Sequence, residues 1–136
     1  MRVVLPVAST AVDRRTRAAF SPACLDDIAD QLTARVVPVT YEYRDASVAG
    51  KTIPGSARRV DLDLVVDVDL SPLWWTADEL AKVIDSGTIG GGIAGRMLKE
   101  SRVDTIHVTD QIRVAAVTLL QLHASVNPDR PAARKA

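Results

Sequence analysis

The side chains in this sequence with the clearest potential for catalysis are its histidines and serines. A serine hydrolase needs a base within hydrogen-bond reach of its serine, which makes His107 the candidate base for Ser101 or Ser125. Their spacing gives that pairing no support, and an ordinary surface or core histidine is the commoner finding. His107 and His123 lack the helical spacing of metal ligands, and the single cysteine, Cys24, adds nothing to a zinc site. We therefore predict no metal and no cofactor.

A glycine-rich stretch formally satisfies the G-x-G-x-x-G pattern of dinucleotide-binding loops through Gly90, Gly92 and Gly95. That pattern requires a strand before it and a helix after it, whereas a predicted helix precedes it here. We therefore interpret residues 87–95 as a flexible loop between packed elements, or as one that a neighbouring molecule orders. The longer glycine-rich stretch, 88–101, could end in a short helix, and no dinucleotide is expected.

Four aspartates alternate with apolar residues in the stretch RRVDLDLVVDVDL, residues 58–70. A period of two predicts a half-buried, antiparallel strand. One predicted face is apolar, and the other carries Asp61, Asp63, Asp67 and Asp69 together with Val65. These carboxylates could bind a cation, but calcium ligands usually converge from a loop. A solvated face that discourages edge pairing is the favoured interpretation.

Composition disfavours several classes of protein. A chain of 136 residues with 47% hydrophobic residues favours one folded domain, which we place at 1–127, followed by a polar, basic and mobile tail at 128–136. The 17 basic and 17 acidic residues give a formal net charge of zero, which argues against general nucleic-acid binding. No apolar run approaches the roughly 18 residues of a membrane-spanning helix. We expect a soluble protein made in a reducing compartment.

Two helices have clear start signals. Ser21 and Pro22 form an N-cap followed by a proline at the first helical position, and the apolar spacing that follows predicts a helix over 22–34. Thr76 and Glu79 form a capping box at the start of a second helix, which Gly87 should end.

The remaining segments complete an α+β layout. Strands are predicted over 2–8, 36–43, 58–70, 103–110 and 112–124, with Pro6 at an edge or a bulge. Residues 11–20 and 44–57 are assigned to loops. About five strands and two to three flanking helices, without regular alternation, predict a mainly antiparallel sheet or a partly closed β-barrel.

Two adjacent tryptophans precede the second helix. Because neighbouring side chains point in different directions, we expect at least one to pack over the core, while the other either joins the core as well or is partly exposed at an interface. An exposed tryptophan is a good interface anchor. The predicted contact surface therefore consists of Trp74 and Trp75 with Gly90, Gly91 and Gly92.

The opening stretch LPVASTAVDRRTRAAFSPACLDDIADQL resembles the start of tailed-phage prohead maturation proteases. In that family an Ala-Ser-Thr strand leads to a Val-Asp-Arg turn and then a helix. The matching residues are Ala8, Ser9, Thr10, Val12, Asp13 and Arg14. The layout of VPVTYEYRDASVAGK and RVDLDLVVDVDL is also similar. The resemblance implies a herpesvirus-protease-like β-barrel with flanking helices.

The catalytic residues of that family are missing from the positions that match. Tyr43 stands at the position of the histidine, and Arg113 and Ala115 stand where an acid-x-serine strand has its acid and its serine. A phenol cannot replace an imidazole as a base near neutral pH, and alanine offers no nucleophile. The resemblance therefore implies a scaffold that has outlasted its active site.

These observations predict a non-catalytic virion protein, assembled in the host cytoplasm. It would act in capsid decoration, cementing, or a minor capsid or head–tail role, through contacts with the major capsid protein, other virion proteins or its own copies in a homo-oligomer. No specific nucleic acid and no membrane is expected. The alternative is an active maturation serine protease with a shifted catalytic set, using His107 with Ser86 or Ser101. A third interpretation is a small-ligand barrel unrelated to phages.

Overall fold

The computed structural model describes residues 1–122 and 130–136. These residues form nine strands and two helices, and their sheet curls into a half-barrel, so the predicted α+β class is confirmed. The strands are β1 (Arg2–Ser9), β2 (Ala18–Phe20), β3 (Pro38–Tyr41), β4 (Arg44–Thr52), β5 (Arg58–Val60), β6 (Asp63–Leu70), β7 (Ile89–Val103), β8 (Ile106–Gln121) and β9 (Arg134–Lys135). The helices are α1 (Pro22–Ala34) and α2 (Ala77–Asp85).

The sheet is mainly antiparallel and is built around two long pairings. Its strand order is β2-β8-β3-β4-β6-β1-β9, with β5 on β6 and β7 on β8. β7 and β8 form a hairpin of 15 and 16 residues, and β1 runs antiparallel to β6. β2 and β3 both pair in parallel with β8, at residues 107–109 and 117–119.

Helix α1 links β2 to β3 and follows the predicted limits, 22–34. The Ser21 hydroxyl accepts a hydrogen bond from the backbone N–H of Cys24 at 3.2 Å, as expected of an N-cap. The inner face of the helix, formed by Cys24, Leu25, Ile28 and Leu32, is fully buried in the core. The helix therefore packs its apolar face against the core.

Gln31 of α1 also bonds to the sheet, in the gap that β2 and β3 leave on the edge of β8. Its side-chain N–H donates to the carbonyl of Ile112 at 2.8 Å, and its side-chain oxygen accepts from the N–H of Val114 at 2.8 Å. The Arg35 guanidinium donates to the Val114 carbonyl. One amide side chain thus takes the place of a strand backbone along this part of β8.

Residues 44–57 were predicted as a loop, but 44–52 form β4. The alternation of apolar and polar residues that predicts a strand is absent here, because most side chains of β4 are not buried. Only Ala49 and Thr52 are buried. The pairing with β3 is imposed by a tight turn, in which Glu42 and Tyr43 have φ of 51° and 59°. Positive φ at both central residues is the geometry of a two-residue hairpin turn, even without the usual glycine.

The prediction of a flexible glycine-rich loop is also wrong, because these residues begin strand β7. A Cβ atom on Gly91 would lie 2.4 Å from the carbonyl oxygen of Pro6, so this position needs a glycine for the close approach of β7 to β1. The two strands predicted over 103–110 and 112–124 are wrong as separate elements, because β8 runs without a break from Ile106 to Gln121, while Val103 ends β7.

The structure also bears on the predictions for Pro6, for residues 58–70 and for the C-terminal tail. The bulge expected near Pro6 is present between Pro6 and Ala8. The stretch 58–70 bends at Asp61, where φ is 54°, and becomes the β5–β6 hairpin rather than one strand. The described end of the predicted mobile tail is docked on the sheet, since β9 pairs with β1 and Ala133 is buried.

Candidate functional site

A cavity of about 300 Å³ lies against the N-terminal stretch that resembles the phage proteases. Its walls are largely apolar and include Pro6, Val7, Ala11, Val12 and Phe20. Its size is at the lower end of the range for small-ligand sites. The cavity can therefore receive one compact apolar group.

The turn between β1 and β2 gives the cavity its shape. The Asp13 carboxylate accepts hydrogen bonds from the backbone N–H groups of Arg15 at 3.0 Å and Thr16 at 3.3 Å, which is an Asx-type turn. The Arg17 N–H donates to the Asp13 carbonyl at 2.7 Å, and Arg17 has φ of 53°. The turn is therefore compact, and the side chains of Arg14, Arg15 and Arg17 are exposed around it.

Asp13 and Arg130 meet at the cavity. Arg130 Nε lies 3.5 Å from Asp13 Oδ2, and a terminal nitrogen of Arg130 donates to the Gly91 carbonyl at 3.0 Å. The Asp13 Oδ2 and Arg130 Nε atoms are buried and make no hydrogen bond within the described residues. Because the two charges offset one another, the cavity favours an uncharged group over an anion.

Of the two arrangements predicted for the tryptophans, both in the core or one in the core and one partly exposed, the structure has the second. Trp75 packs against the core, whereas Trp74 is 41% exposed. Both contact Tyr41, with ring centroids 5.7 and 5.8 Å apart, and their own centroids are 6.1 Å apart. Rings in such direct contact leave no space for a cation between them. The preceding residue, Leu73, is 99% exposed.

The three glycines of the predicted contact surface are buried in the chain itself. A Cβ atom on Gly90 would meet the Leu122 side chain at 2.8 Å, and one on Gly92 would meet the Tyr43 hydroxyl at 2.9 Å. The exposed part of that predicted surface is therefore Trp74. The glycines also lie inside a strand that no helix follows, so the context of a dinucleotide-binding loop is not met.

His107 lies on the β7–β8 hairpin among charged groups. Its Nδ1 is 2.9 Å from a carboxylate oxygen of Glu100, and its Nε2 is 3.4 Å from a nitrogen of Arg102. Arg102 pairs with His107 across the strands, so the side chain of the neighbouring Ser101 points to the opposite face. Ser86 donates instead to the Val83 carbonyl. His123 and Ser125 lie outside the described residues.

The positions aligned with the protease residues do not assemble a catalytic group. Tyr43 is the second residue of the β3–β4 turn, is 52% exposed, and donates its backbone N–H to the Thr118 hydroxyl. Ala115 is an extra residue at a bulge in β8, and Arg113 pairs with Arg96 across the hairpin.

Burial, aided by the charges of two aspartates, raises the pKa of the Cys24 thiol to about 11.

The aspartates of β6 do not form the uniformly solvated face that we predicted. Asp67 is buried, and its two oxygens accept hydrogen bonds from Arg2 at 2.8 Å and Arg58 at 3.0 Å. Desolvation raises the pKa of Asp67, but the hydrogen bonds and charges of both arginines outweigh it, so its pKa is lowered. Val65 is buried beside it. The described residues contain no cluster of His, Cys, Asp and Glu suited to a metal.

No family model, curated protein or solved structure matches this chain. The resemblance to prohead proteases therefore stays a prediction. Within the described residues, no helix is long and apolar enough to cross a membrane.

Sequence reasoning missed the cavity. The Asp13 turn and the Pro6 bulge were visible as local signals, and both help to build its wall. The approach of Arg130 to Asp13 joins the two ends of the chain, and no local pattern predicts such a contact.

Proposed function

We propose that this chain is a non-catalytic structural protein of a tailed-phage virion, assembled in the host cytoplasm. It acts as a decoration, cementing, minor capsid or head–tail component through contacts with the major capsid protein, other virion proteins or its own copies. The observation that carries the proposal is the apolar ridge formed by Leu73 and Trp74. A fully exposed leucine beside a half-exposed tryptophan has the character of an interface anchor.

The residues on either side of the ridge are held in place by the fold, which supports a role in binding. Pro72 is buried, and Trp75 packs into the core on the other side of the ridge. Thr76 then caps α2 through a reciprocal pair of hydrogen bonds with Glu79. Because the loop is already held, little conformational freedom is lost when a partner covers it.

The contacts of the candidate catalytic residues support a structural role over the protease alternative. Glu100 and Arg102 occupy both ring nitrogens of His107. Tyr43 lies at a turn, and Ala115 has no nucleophilic atom. These contacts leave the candidate positions without the chemistry that a serine protease requires.

Mass spectrometry of mature particles from the phage that carries this gene tests the proposal. We expect the intact chain at a copy number that fits the symmetry of the shell or neck, and loss of the L73S/W74S double variant from the particles. Leu98→Ser is the matched control, because Leu98 is also an exposed leucine, at 51%.

A chain that is absent from mature particles, or cleaved in them, would contradict the proposal. Cleavage of capsid precursor by the purified protein that is abolished by His107→Ala would reinstate the protease.

A further inference from the structure

The exposed Leu73 and the apolar cavity lie towards opposite ends of β6. Leu73 follows the end of β6, whereas Asp63, at the start of β6, lines the cavity. These ends of the eight-residue strand are about 23 Å apart at the usual rise per residue. At 99% exposure, Leu73 does not fill the cavity of its own chain.

The two features match in size and polarity. A cavity of about 150 Å³ is large enough for benzene, so one of about 300 Å³ holds a leucine side chain and part of an indole ring. The facing walls are apolar, including Val12 and Phe20, and the charges of Asp13 and Arg130 offset one another. An inserted leucine would thus meet the offset charges of Asp13 and Arg130, with the half-buried Asp63 as the other charged residue of the lining.

The surroundings of the two features also have opposite charge. The turn beside the cavity exposes Arg14, Arg15 and Arg17, while the first turn of α2, close to Leu73, exposes Asp78 and Glu79. Two copies placed head to tail would bring the basic turn of one towards the acidic turn of the other. Complementary charges of this kind orient an association and suppress the reverse arrangement.

We infer that the chain associates with a second copy of itself, head to tail, with Leu73 of one copy seated in the cavity of the next. This inference rests on the proposed structural role and names its partner. Because the contact joins two different surfaces, it repeats from copy to copy and closes into a ring or extends as a filament. Ring closure would give the symmetric copy number expected of a virion component.

Sedimentation velocity on the purified chain, up to about 1 mM, tests the inference. The wild-type chain should associate as concentration rises. Leu73→Asp removes the inserted side chain, and Ala11→Trp fills the cavity from an exposed position on its wall. Each variant should associate at least about tenfold more weakly than wild type, as expected when a central apolar anchor is lost.

Mixing the two variants gives the decisive result. The Leu73→Asp chain keeps an open cavity and the Ala11→Trp chain keeps its leucine, so the mixture should form one-to-one dimers and nothing larger. A mixture that stays monomeric would overturn the head-to-tail contact. Val12→Trp serves as a second cavity variant, and circular dichroism checks that every variant is folded.

Two further measurements complete the test. Leu98→Asp, at another exposed leucine, should associate like wild type, and raising the salt from about 0.05 to about 0.5 M should weaken association by screening the charged turns. A wild-type chain that is monomeric throughout overturns the inference. If such a chain is nevertheless found in particles, the virion role stands, and loss of the L73S/W74S variant from them would assign Leu73 to another virion protein, so the two failures are distinguishable.

Discussion

At the scale of single residues, Asp67 shows how a carboxylate predicted to be solvated becomes a structural charge. It is buried between Arg2 and Arg58, which approach it from β1 and from the start of β5. The prediction of a solvated carboxylate failed because β6 is buried on both faces. The alternating pattern of the sequence does not reveal that two arginines cover the polar face.

Asp67→Asn should lower the free energy of unfolding at pH 7 by about 1–3 kcal/mol, the range for a lost buried hydrogen bond with a charged partner. The pKa of Asp67 is lowered by folding, so its contribution is complete above the unfolded value of about 3.9 and is lost as pH falls through the folded pKa. Urea unfolding at pH 7 and pH 3 should therefore show the wild type and the variant converging in acid.

Asp61→Asn is the matched control for this comparison. Asp61 is exposed at a turn with φ of 54°, a conformation that asparagine tolerates. The control should remain close to wild type at both pH values. An equal loss of stability in both variants would contradict a specific role for Asp67.

Gln31 is the second residue with an effect larger than its size suggests. Gln31→Leu should cost about 1–3 kcal/mol, because it leaves the Ile112 carbonyl and the Val114 N–H without their partner. Equilibrium urea unfolding measures this change. Asp30→Ala, at the adjacent exposed position of the same helix, should stay within about 0.5 kcal/mol of wild type. Equal values for the two variants would show that the hydrogen bonds to β8 contribute nothing.

At the scale of elements, the sequence predicted the helices well and several strands poorly. Both helices carry local start signals, Ser21-Pro22 and the capping box of Thr76 and Glu79. Each of these caps is formed in the structure as the sequence predicts. β4 and the start of β7 lack such signals, because they are fixed by partners that lie far away in the sequence. The same limit applies to the candidate site: a partly exposed tryptophan was one of two arrangements that the sequence left open, whereas the cavity was not predicted.

Gly91→Ala should destabilise the β1–β7 contact by about 1–3 kcal/mol, the usual cost of overpacking. The added carbon would lie 2.4 Å from the Pro6 carbonyl oxygen, so one of the two backbones must shift. Gly90→Ala should cost less, since its added carbon first meets the movable end of the Leu122 side chain. Thermal unfolding of both variants measures the difference, and the reverse order would contradict this account of the glycines.

At the scale of the whole molecule, one continuous core unites the two helices and the sheet. Its fully buried members include Leu5, Leu25, Val66 and Leu119, which come from β1, α1, β6 and β8. We therefore expect a single cooperative unfolding transition, with tryptophan fluorescence and far-ultraviolet circular dichroism giving the same midpoint. Separate midpoints would show that the ridge around Trp74 and Trp75 unfolds independently of the sheet.

The amide bridge from Gln31 has a mechanical consequence. Apolar packing between a helix and a sheet has no preferred direction, but α1 is also fastened to β8 by directional hydrogen bonds at Ile112 and Val114. Force applied to the helix would therefore reach the long hairpin as tension in those bonds. The helix and the hairpin would therefore move together as one rigid unit, and a displacement of α1 would also displace β8.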